Sequence, residues 1–270
     1  MARHYTPPMN HSVLIIGGGN MGGAIAQALH ALPDFSVTVV ESDDAKRKHF
    51  AVLGIPAYAT LAQTSPADVM MLAIKPQQFA SLAPTLTAQL SGQAPLVLSI
   101  MAGISLDALR AISPRAVRAM PNLPATIHES MSVLCAPTLD APSRTIAESV
   151  FTAIGAVEWV EGEELLHAVT AISGSGPAYV FALMEAMEEA ALAQGLNAAL
   201  AKKLVLQTVR GSALLADGSE HSTSELRAQV TSKGGTTEAA LAHISAGQLQ
   251  AIIASATKAA ANRSRELTNA

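Results

Sequence analysis

"VLIIGGGNMGGAIAQALHAL", residues 13–32, decides the fold. An apolar, β-branched run enters three glycines, and an alanine-rich stretch leaves them. That order reads as strand, turn and helix. The glycines fall as Gly17-x-Gly19-x-x-Gly22. In this spacing the first permits a tight turn, the second admits a pyrophosphate to the backbone, and the third lets helix and strand pack closely. The helix start adds free N–H groups and a partial positive charge. Glycines alone are weak evidence, since they also make ordinary turns. Here Glu41 closes the next strand-like run, "SVTVVE", at the separation of ~20 residues expected of a dinucleotide-binding unit.

Working outward, strand-like runs recur at 36–41, weakly near Ala57, and at 68–74, 95–100, 116–121, 130–136 and 156–160. Helical stretches at 21–32 and 43–54 lie between the first of them. Strands interleaved with helices imply βαβ units, a parallel, doubly wound Rossmann-type sheet, and helices on both faces. After about Val160 no strand-like run returns. "EELLHAVTAI", "PAYVFALMEAMEEAALAQG", "NAALAKKLVLQTVRGSALLADG" and "AGQLQAIIASATKAAANRSREL" read as helices. Pro177 suits a first helical turn, and Gly195 and Gly218 suit helix stops. The expected organisation is an α/β class chain: a loose tail over 1–10, a Rossmann domain over 11–162, and an all-helical domain over 163–270. The stretch around Tyr179 and Met184 is too apolar for a lone surface helix, which favours burial against a second subunit over a monomeric lobe.

Composition narrows the function. The 270 residues carry a net charge of −4 without a basic stripe, so nucleic acid and anionic membrane are not expected partners. No apolar run approaches the ~20 residues that span a bilayer. The single cysteine, Cys135, fits a reducing cytoplasm, and reads as a buried small residue. The histidines are scattered without cysteine partners, so no metal site is expected. His167 and His221 read as structural or solvated.

Glu41 bears on the cofactor. A carboxylate there accepts from the ribose hydroxyls and repels a 2′-phosphate, which favours NADH. Ser42, Lys46, Arg47 and Lys48 follow closely and suit a phosphate if Glu41 turns away, although such cations are more often a solvated helix face.

"VTSKGGTTEAAL", residues 230–241, places two glycines and two threonines before a helical stretch. It reads either as a helix cap, with Glu238 favourable in the first turn, or as an anion site at a helix start.

"GGGNMGGAI", "AIKPQQF", "SIMAGIS", "RAMPNLPA", "ISGSGPAYVF" and "VTSKGGTTEAAL" occur in that order. Together they resemble the pyrroline-5-carboxylate reductase family, from about Ser12 to about Leu267. The resemblance implies reduction of L-1-pyrroline-5-carboxylate to L-proline by NADH or NADPH, and a Rossmann domain followed by a helical domain that interlocks in a homodimer, with dimers assembling into a decamer. It implies a cofactor site made of Ile16, Gly17, Gly18, Gly19, Asn20, Met21 and Gly22, with Glu41, then Ala73, Ile74, Lys75 and Pro76, then Ala102 and Gly103 near the nicotinamide, and Asn122. Met120 and Pro121 line the same pocket. For the substrate it implies Ser232, Gly235, Thr236 and Thr237, with Glu220 and Glu163 on weaker local motifs. Thr237 is the expected partner of the ring nitrogen. The chain departs from the family at Lys233, Leu123 and Ser222, where threonine or proline is usual, and keeps the surrounding glycines and hydroxyls. Ser175 is expected to cap a helix beginning at Pro177 and to face the site. Two other readings stand beside this one: a Rossmann enzyme acting on a related imine or β-hydroxyacid, which would need a catalytic lysine better placed than Lys202 or Lys203, and a dinucleotide-sensing protein without turnover.

Overall fold

The computed structural model describes residues 10–90 and 92–268. The tail expected over 1–10 lies, but for Asn10, outside the described residues. The chain forms two compact units: one runs to Ser175 and takes back the chain from Ala260, and the other is Gly176–Ala259.

The first unit is built on eight strands: β1 His11–Ile16, β2 Phe35–Val40, β3 Ala57–Tyr58, β4 Val69–Leu72, β5 Leu96–Ser99, β6 Ala116–Met120, β7 Ser130–Cys135 and β8 Gly155–Val160. They lie in the order β3-β2-β1-β4-β5-β6-β7-β8. Its helices are α1 Asn20–His30, α2 Asp44–Val52, α3 Phe79–Leu90, α4 Leu106–Arg110, α5 Ala141–Thr152 and α6 Leu165–Val169. Each run expected as a strand is one. Central strands are apolar on both faces because both faces are covered. Val13 and Ile15 point into a core with Ile25, Leu29 and Phe151, while Leu14 and Ile16 join a second core with Leu86, Leu106 and Leu109.

The sheet differs from a wholly parallel one at a single seam. β6 and β7 are antiparallel, and β8 follows β7 in parallel. The connection from Met120 to Ser130 is shorter than the dozen or so residues that a parallel crossover needs, so the chain turns back there.

The second unit holds α7 Gly176–Ala193, α8 Ala198–Asp217, α9 Thr223–Gln229, α10 Thr236–Ala246 and the first half of α11 Leu249–Thr268. Gly195, at φ +89°, follows α7, and Gly218 caps α8. No residue of α7 is buried in the single chain. Tyr179 and Met184, in the stretch expected to be buried against a second subunit, are half-buried, and Phe181, Leu183, Leu214 and Leu215 are each more than half exposed. No helix among the described residues is long and apolar enough to cross a membrane.

Ser175 does not cap α7. Helical geometry continues from α6 through a π-turn at Thr170–Gly174, where the Ser175 N–H donates to the Thr170 carbonyl at 2.8 Å. A chain already helical on both sides leaves no N-cap position to fill.

Candidate functional site

The loop after β1 is shaped by what its glycines lack. Gly17 sits at φ +102°, and a Cβ there would lie 2.5 Å from the Ala73 carbonyl oxygen. A Cβ on Gly22 would lie 2.0 Å from the Gly17 carbonyl oxygen, so strand and helix touch through backbone. Around Gly19 nothing lies within 4 Å of an added Cβ. Gly19 is also the N-cap of α1, without a side-chain cap. The first turn of α1, at Asn20 and Met21, thus keeps donors free for an anion.

Beside this loop is a cleft of about 440 Å³ whose lining includes Gly17, Gly19, Glu41, Ala73, Ile74 and Lys75. Ile16, at the end of β1, also borders it, and Pro76 follows Lys75 as the first residue of a short 3₁₀ turn. The cleft has the parts a dinucleotide needs: an uncapped helix start for the pyrophosphate, and a strand-end carboxylate. Glu41 is 9% exposed. Its carboxylate accepts the Gly18 N–H at 2.9 Å and the Asp43 N–H at 2.9 Å, and Lys46 Nζ stands 3.8 Å away. Burial pushes this carboxyl upward, but the Asp43 and Gly18 N–H groups, Lys46 and Ser42 together hold it below its ordinary value. It is therefore ionised and held against the loop.

Ala102 and Gly103 form a turn after β5, with Gly103 at φ +80°. Pro121 is buried and Asn122 half-buried where β6 ends. The Asn122 side chain is fully engaged. Its Oδ1 accepts from Ser130 Oγ at 3.1 Å and from the Met131 N–H at 3.0 Å, and its Nδ2 donates to the Ser173 carbonyl at 3.2 Å. Asn122 thus ties β7 to the π-turn.

In the second unit, Ser232 to Gly235 make a turn closed by the Gly235 N–H donating to the Ser232 carbonyl at 3.0 Å. Gly234 sits at φ +70°, and a Cβ on Gly235 would lie 2.4 Å from Ser232 Oγ. Glu238 accepts the Gly234 N–H at 2.6 Å. Gly235 is the N-cap of α10 and supplies no side-chain bond. Thr236 and Thr237 are the first two residues of the helix, so neither caps it. Their hydroxyls have no protein partner among the described residues. No side chain caps α10, and Glu238 stands in its first turn.

The other expected residues are dispersed. Glu220 is exposed in the turn after α8. Glu163, after β8, pairs with Arg118. Ser222 caps α9 in a reciprocal arrangement with Glu225, so this departure from the family pattern has a structural use. Lys233 and Leu123 are exposed. His167 Nδ1 lies 2.9 Å from Ser264 Oγ, and His221 is exposed. Cys135 is buried, which pushes its thiol up to about 11. No cluster of three metal-ligating side chains occurs among the described residues. Sequence reasoning missed Arg118 and Ser130; a lone arginine inside the apolar run "AVRAMP" was the available signal for the first.

Residues 163–267 match the family model of pyrroline-5-carboxylate reductase dimerisation, and residues 12–103 match that of coenzyme F420-dependent NADP oxidoreductases. A pyrroline-5-carboxylate reductase of Haemophilus influenzae is 38% identical over 96% of this chain and 98% of its own length. This chain belongs to the pyrroline-5-carboxylate reductase family. A solved reductase structure from Coxiella burnetii superposes with a TM-score of 0.89 at 36% identity, covering 96% of this chain and 99% of the other. In fold the chain is also like the Plasmodium falciparum pyrroline carboxylate reductase solved with NADP bound, at TM-score 0.83 and 24% identity, covering 97% and 100%. The helical segment of this reductase is thus a dimerisation domain, which accounts for the exposed apolar faces of α7 and α8.

Proposed function

We propose that this reductase converts L-1-pyrroline-5-carboxylate to L-proline with NADH or NADPH, the last step of proline synthesis. The carrying observation is the uncapped start of α10 with Thr236 and Thr237 unpartnered, in a chain that also holds an uncapped, glycine-lined nucleotide loop. The substrate is a small cyclic imine bearing a carboxylate. The free N–H groups at the start of α10 hold that carboxylate, with Ser232, Gly235 and Thr236 around it. Thr237 orients the ring through its nitrogen.

The residues Ile16 to Gly22, Glu41, Ala73 to Pro76, Ala102, Gly103 and Asn122 hold or border the cofactor. When bound, the reduced nicotinamide supplies a hydride to the imine carbon, while the ring nitrogen keeps the electron pair of the broken π bond. A threonine hydroxyl titrates far above neutrality and is a poor acid, so Thr237 positions, and the nitrogen's proton comes from water. Most of the acceleration then comes from placing the ring.

The functional unit is a homodimer, and dimers assemble into a decamer; sedimentation of the purified protein tests this. The reading places it in the cytoplasm, supported by its one cysteine. The deciding assay follows the reduced-nicotinamide absorbance with pyrroline-5-carboxylate and either cofactor. Rapid decay is expected. A folded, cofactor-binding protein without decay would turn the assignment to another imine or to a sensor.

A further inference from the structure

Glu163 carries an arrangement that a substrate ligand would not need. One of its carboxylate oxygens, Oε1, accepts from Arg118 Nη1 and also from the Leu106 N–H at 2.8 Å. Arg118 is 4% exposed, on β6 between Ser99 of β5 and Cys135 of β7. A cation that deep requires its partner. Leu106 is the first residue of α4, just past the Ala102–Gly103 turn. That turn is confined on its other side, because a Cβ on Gly103 would lie 2.6 Å from the Leu267 carbonyl oxygen. From Arg118, β6 runs directly to Met120, Pro121 and Asn122.

One oxygen therefore joins two segments: the turn at Ala102–Gly103 and the strand end at Met120–Asn122. We propose that Glu163 is a positioning residue, which with Arg118 fixes the Ala102–Gly103 turn against the end of β6, and that it does not touch the substrate. This rests on the reading above, in which both segments border the reacting ring. The charge argues the same way: a carboxylate facing the substrate's own carboxylate would repel it, while one spent on Arg118 and Leu106 does not. A turn displaced by about 1 Å costs catalysis far more than binding, on the order of a hundredfold in rate. The adenosine half of the cofactor, held at Gly17–Glu41, is left as it was.

The test uses the full-length protein and two variants. Glu163→Gln keeps an acceptor for Leu106 and gives up the ion pair. The double variant R118M/E163L gives up both bonds and leaves no lone buried charge, so it folds. Four quantities are read: kcat, KM for pyrroline-5-carboxylate, the Kd of the reduced cofactor by fluorescence, and amide exchange at Leu106. The expected result is a kcat at least tenfold lower in the double variant and a smaller loss in Glu163→Gln. KM and Kd stay within twofold, and Leu106 exchanges faster in the double variant. A tenfold rise in KM with kcat retained would make Glu163 a substrate ligand and overturn the proposal. So would full kcat in the double variant, or unchanged exchange at Leu106. If the wild-type protein does not turn over the substrate, the functional reading fails instead, and Leu106 exchange still decides whether Glu163 anchors the turn.

Discussion

Glu41 Oε2 lies 2.9 Å from the Gly18 backbone nitrogen, so the last carboxylate of the second strand run holds the glycine loop that follows the first strand. The same group faces the cleft beside that loop. It therefore fixes the loop and sets the charge on that side of the cleft.

That charge predicts cofactor choice. Of the three cations behind Glu41, Arg47 donates to the Glu41 and Ser42 carbonyls at 2.8 and 2.6 Å, and Lys48 pairs with Asp44 at 2.7 Å. Lys46 remains, and it already leans on Glu41. A 2′-phosphate would meet an ionised carboxylate with little compensation. NADH should bind more tightly than NADPH, and Glu41→Gln should narrow the ratio by about tenfold, roughly 1.4 kcal/mol. Fluorescence titration of both cofactors checks this; tighter binding of NADPH by the wild-type protein would sink the argument.

Acid should expose the same contact. The folded Glu41 carboxyl lies below its ordinary value, so it stabilises the fold above that value. The stabilisation fades as pH falls from the ordinary carboxylate range through the folded pKa. Urea midpoints of wild-type and Glu41→Gln should differ at pH 7 and converge as the pH is lowered past about 4.5. A gap that stays constant with pH would mean that the charge of Glu41 adds nothing to folding.

Thr237→Ala should lower kcat/KM by about 10- to 100-fold, the worth of one hydrogen bond to a charged group. Cofactor affinity should hold. Thr237→Ser should retain activity within a few-fold. An alanine variant with wild-type kinetics would remove Thr237 from the site.

Gly22→Ala puts a methyl group where the Gly17 carbonyl already is. The loop must move, at a cost of about 1–3 kcal/mol in stability with a large loss of cofactor affinity. Gly19→Ala meets no protein atom, so its stability should be unchanged while dinucleotide binding weakens. Thermal melts with and without cofactor separate the two effects.

The strands, the glycine loop and the helical second half were legible in the sequence because each is written locally, as an apolar period or as glycine spacing. The reversal at β7 was not, since strand direction depends on the length of the connection from Met120 to Ser130, whose 3₁₀ turn at Leu123–Ile127 has no apolar period. Ser175 was misread for a related reason: helix continuation through a π-turn looks like a helix start when a proline follows. Asn122 was legible as a motif and not as a set of bonds, because Ser130, Met131 and Ser173 meet it only through the fold. The open start of α10 needed the structure too. Residue types cannot tell a threonine before a helix from one inside its first turn.

Gly176–Ala259 leaves the first unit after Ser175 and the chain returns to it at Ala260. The return is secured by the His167–Ser264 bond and by the close seat of Leu267 on Gly103. A protease that nicks the helical segment once would therefore liberate no fragment, since each piece still ends in the nucleotide-binding unit. A chain terminated before Ala260 would lose the backbone that roofs Gly103, so a truncation far along the chain from β5 would loosen the turn that follows it.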